Sequence, residues 1–190
     1  MKIIIGLGNP EKKHELTRHN LGRLIVEAFQ KQAVFPDFKL KKKSQSLISE
    51  DKFNKEKIIL VLPETFMNLS GKAVKLLIAN YKLSAKDVWV IHDDFDLELG
   101  KLKISENKSS GGHKGVQSII NELKTKGFVR FRVGIKPKRI PRTLDGFVLK
   151  KFTKKELEVI QNIDNKMVQI LKFALKEGIE KTMNRFNQDD

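Results

Sequence analysis

Short apolar runs of strand length alternate along this chain with segments of helical periodicity, and that alternation restricts it to an α/β fold. Lys2 to Leu7 reads as a buried strand. Leu21, Leu24, Ile25, Ala28 and Phe29 then recur at helical spacing and predict a helix from about Asn20 to Gln32. Strands are expected around Leu47 to Glu50 and Ile58 to Leu62, then a helix marked by Ala73, Val74, Leu76, Leu77 and Asn80. Val88 to Ile91 is a short apolar strand that ends at His92-Asp93-Asp94. A strand over Lys101 to Ile104, a helix carrying Val116, Ile119, Ile120 and Leu123, and a strand from Val129 to Ile135 with a basic face follow. Lys136 to Arg142 reads as a basic, proline-bearing loop. Thr153-Lys154-Lys155-Glu156 is a capping box that opens a long amphipathic helix from about residue 153. Its stripe, from Leu157 to Ala174, is expected to pack on the core. With no internal repeat and no linker, residues 1–190 read as one domain.

Charge narrows the partner. Lys and Arg number 38 against 23 Asp and Glu, a net charge of +15, which points to a polyanion and first to nucleic acid. The excess is mostly lysine, and Lys41-Lys42-Lys43 reads as solvated surface. Cysteine is absent, which excludes disulfides, a thiolate nucleophile and cysteine-ligated zinc. No signal-like leader and no apolar run near the ~20 residues of a membrane span are visible. The expectation is a cytoplasmic protein with no membrane partner.

Chemistry concentrates in the predicted loops. Gly6-Leu7-Gly8 after a strand suggests a dinucleotide cradle, but that fingerprint needs a third glycine where this chain has Glu11, and Pro10 removes an N–H donor. All four histidines, His14, His19, His92 and His113, fall in predicted loops, and loops at the carboxyl ends of α/β strands gather at one edge where ligands bind. No Gly-x-Ser-x-Gly elbow is present, and Asp93, Asp94 and Asp96 read better as one inward carboxylate and two solvated ones than as a magnesium site. A histidine, a carboxylate and several side-chain amides remain. That set suits hydrolysis by water with general-base help, the carboxylate orienting the ring and an amide N–H stabilising the oxyanion.

The motifs Gly6-Leu7-Gly8-Asn9-Pro10, Thr17-Arg18-His19-Asn20, Thr65 to Gly71, His92-Asp93-Asp94, Gly111-Gly112-His113 and Phe131 to Ile135 resemble, in order and spacing, the bacterial peptidyl-tRNA hydrolases. The resemblance implies a single α/β domain with a twisted mixed sheet between helices, and hydrolysis of the ester joining a peptide to the 3′ ribose of tRNA. It implies His19 as base, Asp93 as its supporting carboxylate, Asn68 as the amide holding the tRNA end and reacting carbonyl, and Asn9 as the residue separating blocked from free aminoacyl-tRNA. Phe66 and His14 match positions contacting substrate, and Lys103, Arg130 and Arg132 lie near segments that meet tRNA phosphate. No metal and no cofactor are required, and a monomer is expected. Three positions depart from the family pattern: Glu11 stands for Gly, His14 for Tyr and Lys114 for Asn. Lys114 puts a flexible point charge where the family has a planar amide and is expected to add electrostatic affinity for tRNA. The alternative is a non-catalytic RNA-binding relative, which has no physical need to keep Asn9, His19, Asn68 and Asp93 together.

Overall fold

The computed structural model describes residues 1–137 and 143–187. Most of the basic loop expected over Lys136 to Arg142 therefore lies outside the described residues. Among the described residues, seven strands form one sheet: β1 (Lys2–Gly6), β2 (Lys39–Lys41), β3 (Ser46–Phe53), β4 (Glu56–Pro63), β5 (Val88–Glu98), β6 (Leu102–Ser105) and β7 (Val129–Lys136), in the order β2-β3-β4-β1-β5-β7-β6. The β4, β1, β5 and β7 centre is parallel, while β2–β3, β3–β4 and β6–β7 pair antiparallel.

The parallel centre explains the uninterrupted apolar runs, because both of its faces are covered. Ile4, Leu60, Trp89, Ile91 and Phe131 belong to a core shared with α1 (Leu21–Gln32) and α5 (Lys154–Glu177). Ile3, Ile5, Ile59, Val61 and Val90 turn to the opposite core, with α2 (Ser70–Tyr81) and α3 (Lys114–Leu123). The long C-terminal helix begins after Thr153, whose side chain and that of Glu156 form the expected capping box. It stops at Gly178, which has φ +88°, and a short α6 (Ile179–Phe186) follows. Asn187 then uses its side-chain amide like a strand residue, accepting from the Ile104 N–H and donating to the Ile104 carbonyl, both at 2.8 Å. That pairing blunts the edge of β6, which would otherwise present open backbone groups.

One expectation changes, and one strand is added to those expected. The strand opening at Val88 does not stop at Ile91 but continues through Glu98, and β7 pairs with it at His92, Asp93 and Asp94. His92 is thus a buried strand residue, not a loop residue. The outer hairpin edge β2, Lys-Leu-Lys, is exposed throughout and owes its form to pairing with β3 rather than to any apolar alternation.

One glycine sets the position of the site. A Cβ on Gly22 would lie 2.2 Å from the Ile91 carbonyl oxygen and 2.7 Å from the Leu7 nitrogen. Only hydrogen there lets α1 rest directly on the backbone where β1 ends, and α1 carries the preceding turn Arg18–Asn20 with it. Gly22→Ala is expected to cost about 3 kcal/mol by overpacking against rigid backbone, lowering Tm by roughly 6–12 °C in a chain of this size. A Tm unchanged in a thermal melt contradicts the packing argument.

Candidate active site

The carboxyl ends of β1, β4, β5 and β7 face one edge of the sheet, and the segments that leave them supply the site. The β1 exit carries Asn9, and the turn before α1 carries His19. The β4 exit carries Phe66 and the short 3₁₀ turn Met67–Leu69 with Asn68. Asp93 stands on β5 itself. The loop returning from β6 brings His113 to the start of α3, and α4 (Leu144–Val148) follows β7.

His19 is 7 % exposed and Asp93 2 %. The ring Nδ1 lies 3.0 and 3.1 Å from the two Asp93 oxygens. Asp93 Oδ1 is also 2.9 Å from His113 Nε2. The tautomer of His113 is dictated by its other nitrogen. Nδ1 accepts the Gly115 and Val116 backbone N–H groups at 3.1 and 3.2 Å, so the imidazole caps helix α3 and its proton must sit on Nε2. Burial alone would push Asp93 upward. The ring N–H groups that His19 and His113 turn on it overcome it and hold the carboxyl well below the usual carboxylate range. An ionised Asp93 in turn fixes the His19 proton on Nδ1, which makes Nε2 the ring's basic atom.

His92 does not share this work. Its ring is fully buried, its Nδ1 donates to the Asp93 carbonyl at 2.7 Å, and it packs edge-on to His113. Burial, with the neighbouring His113 adding to it, pushes its pKa down to about 3 and leaves it neutral. One ligand atom from each of His19, Asp93 and His113 fall within 4.8 Å of one another, the spacing of a cation site. Here those atoms are spent on each other: the nitrogens facing Asp93 are N–H donors, and a metal on His113 Nε2 would compete with the cap of α3.

Two cavities meet at His19. The rear one is lined by His19, Asp93, Asp94, Phe95, Gly112 and Leu144 among others, the front one by Asn9, His14, His19, Phe66, Met67 and Asn68; Lys114 and Val148 border both. The amide of Asn9 has a forced orientation. Its Oδ1 accepts the Met67 N–H at 2.9 Å, so the opposite end of the amide is an N–H donor. The backbone of Asn9 is held by Asn20, whose side chain accepts from Asn9 N and donates to Asn9 O, both at 2.9 Å. Asn68 is exposed and Phe66 is 52 % exposed, with its ring available to a planar partner. His14 is half-buried, 3.5 Å from Glu11, and Glu11 also pairs with Lys13. The carboxyl of Glu11 is held down by its bond to Lys13. Two of the departures from the family pattern thus meet each other at the rim.

The basic face of β7 is less open than its sequence suggests. Arg132 Nε donates to Asp94 at 2.6 Å, and Lys103 sits directly across from Arg132 on β6. Arg130 is 3 % exposed and donates to the Ser109 carbonyl at 2.8 Å. Its visible task is to pin the loop that returns to His113, which weighs against direct phosphate contact. Asn20, His113 and Arg18 were legible only as members of motifs. Their tasks come from partners distant in sequence.

The peptidyl-tRNA hydrolase family model matches residues 3–190. A peptidyl-tRNA hydrolase of Methylacidiphilum infernorum is 43 % identical over 185 residues, covering 97 % of each chain. One of Caldanaerobacter subterraneus is 43 % identical over 188 residues, covering 98 % of this chain and all of the other. The crystal structure of peptidyl-tRNA hydrolase from Acinetobacter baumannii superposes with a TM-score of 0.91 at 26 % identity, covering 99 % of this chain and 95 % of that one. A match that runs from the first strand to the C-terminus, with the whole fold shared, means that this chain belongs to the peptidyl-tRNA hydrolase family.

Proposed function

We propose that this family member cleaves the ester between a peptide and the 3′ ribose of tRNA by general-base catalysis, with His19 as the base. The observation that carries the reading is the buried His19–Asp93 pair at the junction of two cavities. Nε2 of His19 takes a proton from water as the water attacks the ester carbonyl, and the Asp93 carboxylate stabilises the imidazolium that results. The Asn68 amide lies on the wall of the front cavity, where an N–H can meet the oxyanion. Protonated His19 then returns the proton to the leaving ribose hydroxyl, and a peptide carboxylate and free tRNA leave.

The Asn9 amide supplies discrimination. An N–H donor accepts a peptide carbonyl as partner but faces the ammonium of free aminoacyl-tRNA donor to donor. Phe66 offers a face to a base of the tRNA end, and Lys103 and Lys114 offer charge to its phosphates.

The test is release of N-acetyl-aminoacyl groups from labelled tRNA at several salt concentrations, with free aminoacyl-tRNA alongside. Rapid release from the blocked substrate only, with KM rising steeply in salt, is the expected outcome. A KM indifferent to salt removes the phosphate contacts, and equal cleavage of both substrates removes the role of Asn9. Lys114→Asn is expected to raise KM at low salt and to flatten its salt dependence; an unchanged KM at every salt concentration refutes that role for Lys114.

A further inference from the structure

Arg18, the neighbour of His19, reaches away from the base into a different part of the fold. It is 6 % exposed. Its backbone N–H donates to the Lys150 carbonyl at 3.2 Å, and its Nη1 donates to the carbonyls of Lys150 and Lys151, both at 3.1 Å. Nη2 meets both oxygens of Glu156 at 2.7 and 2.8 Å. The guanidinium lies over the Phe147 ring at 4.3 Å and near that of Phe152 at 5.3 Å. A bridge between Thr17 and Lys151 and a bond from Phe152 N to Leu16 O close the joint on either side. One side chain therefore satisfies two carbonyls, a carboxylate and an aromatic face. Only the planar fork of arginine can do this, since lysine presents a point charge.

The clasped segment matters because of what it carries. Val148 borders both cavities that meet at His19, Leu149 lines the front one and Leu144 the rear one. We propose that Arg18 is a positioning residue: through Glu156 and the 150–151 carbonyls it holds the Val148–Leu149 wall at the distance from Asn68 and Phe66 that the substrate requires. The inference rests on the reading of His19 and its two cavities as the reaction site. The base does not depend on the clasp, because His19 has its own anchor in Asp93. Loosening the clasp therefore weakens contacts made equally in the bound and transition states, which raises KM and spares kcat.

Glu156→Gln isolates this from helix stability. Glutamine keeps the capping box at the start of α5 but removes the charge that Arg18 grips. Arg18→Lys and Glu156→Gln are each expected to raise KM about 10-fold with kcat within about threefold of wild type, and the double variant is expected to add nothing further. Val148→Ala, which leaves the clasp intact, is expected to raise KM in the same way. A folded Glu156→Gln protein with wild-type KM overturns the proposal, as does a wild-type KM in Val148→Ala or a loss confined to kcat. Should Arg18→Lys fail to fold, Glu156→Gln and Val148→Ala decide alone. Wild-type turnover and its loss in His19→Ala are read in the same assay. Failure of the site assignment appears there, and failure of the clasp only in the KM of its variants.

Discussion

His19→Ala is expected to lower kcat by about 10²–10⁴-fold while leaving KM near its wild-type value. In the proposed mechanism the base acts only in the transition state, so its loss does not weaken tRNA binding. The proposed tRNA contacts Phe66, Asn68, Lys103 and Lys114 remain. The variant should also fold, because Asp93 keeps its second partner in His113 Nε2 at 2.9 Å. The decisive comparison is single-turnover cleavage of N-blocked aminoacyl-tRNA by both proteins, with binding followed separately. A variant that cleaves within about tenfold of wild type would mean that another group activates the water. A variant that neither cleaves nor binds would mean that the ring holds substrate rather than a proton.

The fold was legible where the chain obeys its own local pattern. Ile3 to Ile5 and Ile58 to Leu62 read as strands and form them, and the Thr153–Glu156 capping box placed the start of α5 within a residue. The reading failed where tertiary partners override pattern. Two successive carboxylates look like the end of a strand, yet β5 runs through Asp93 and Asp94. It does so because His19 and His113 donate hydrogen bonds to the first and Arg132 pairs with the second. Exposed Lys39–Lys41 holds a single apolar residue, too short a run to mark a strand, so β2 is visible only from its partner β3. The site divides the same way. A loop histidine and an inward carboxylate were legible from the residues, and the family resemblance pointed to His19 and Asp93 for them. The donor end of the Asn9 amide follows from Met67, 58 residues away, and the clasp of Arg18 from Glu156, 138 residues away. No spacing rule reaches that far. Arg130 shows the converse error: on the alternating β7 it looks like an outward cation, but the loop at Ser109 covers it.

Asp93→Asn tests the part of the site that the sequence could not give, and its outcome depends on His113. An asparagine side chain has one acceptor and one donor end, where the carboxylate accepts at both. Asp93 Oδ1 takes the His113 Nε2–H and one contact from His19, while Oδ2 lies 3.1 Å from His19 Nδ1. His113 cannot change tautomer without abandoning the two backbone N–H groups at the start of α3. The amide oxygen of the variant must therefore face His113, and its NH₂ must face His19 Nδ1. That sets an N–H against His19 Nδ1 and favours the tautomer with its proton on Nε2, the atom that has to receive one from water. A kcat loss on the order of 10³–10⁴-fold follows, with KM little changed. Removing the lock should give part of this back. In Asp93→Asn combined with His113→Ala, the amide can rotate, present its oxygen to His19 Nδ1–H and restore a basic Nε2. The double variant is expected to be the faster of the two, although it has lost a helix cap worth about 1 kcal/mol. Acid stability supplies an independent reading. With Asp93 held below its unfolded pKa, its stabilisation is complete above about pH 4 and fades as pH falls through the folded value, a slope that Asp93→Asn should lack. If Asp93→Asn keeps kcat within about tenfold of wild type, or the double variant is slower still, the tautomer of His19 is not what Asp93 controls, and the carboxylate acts by charge alone.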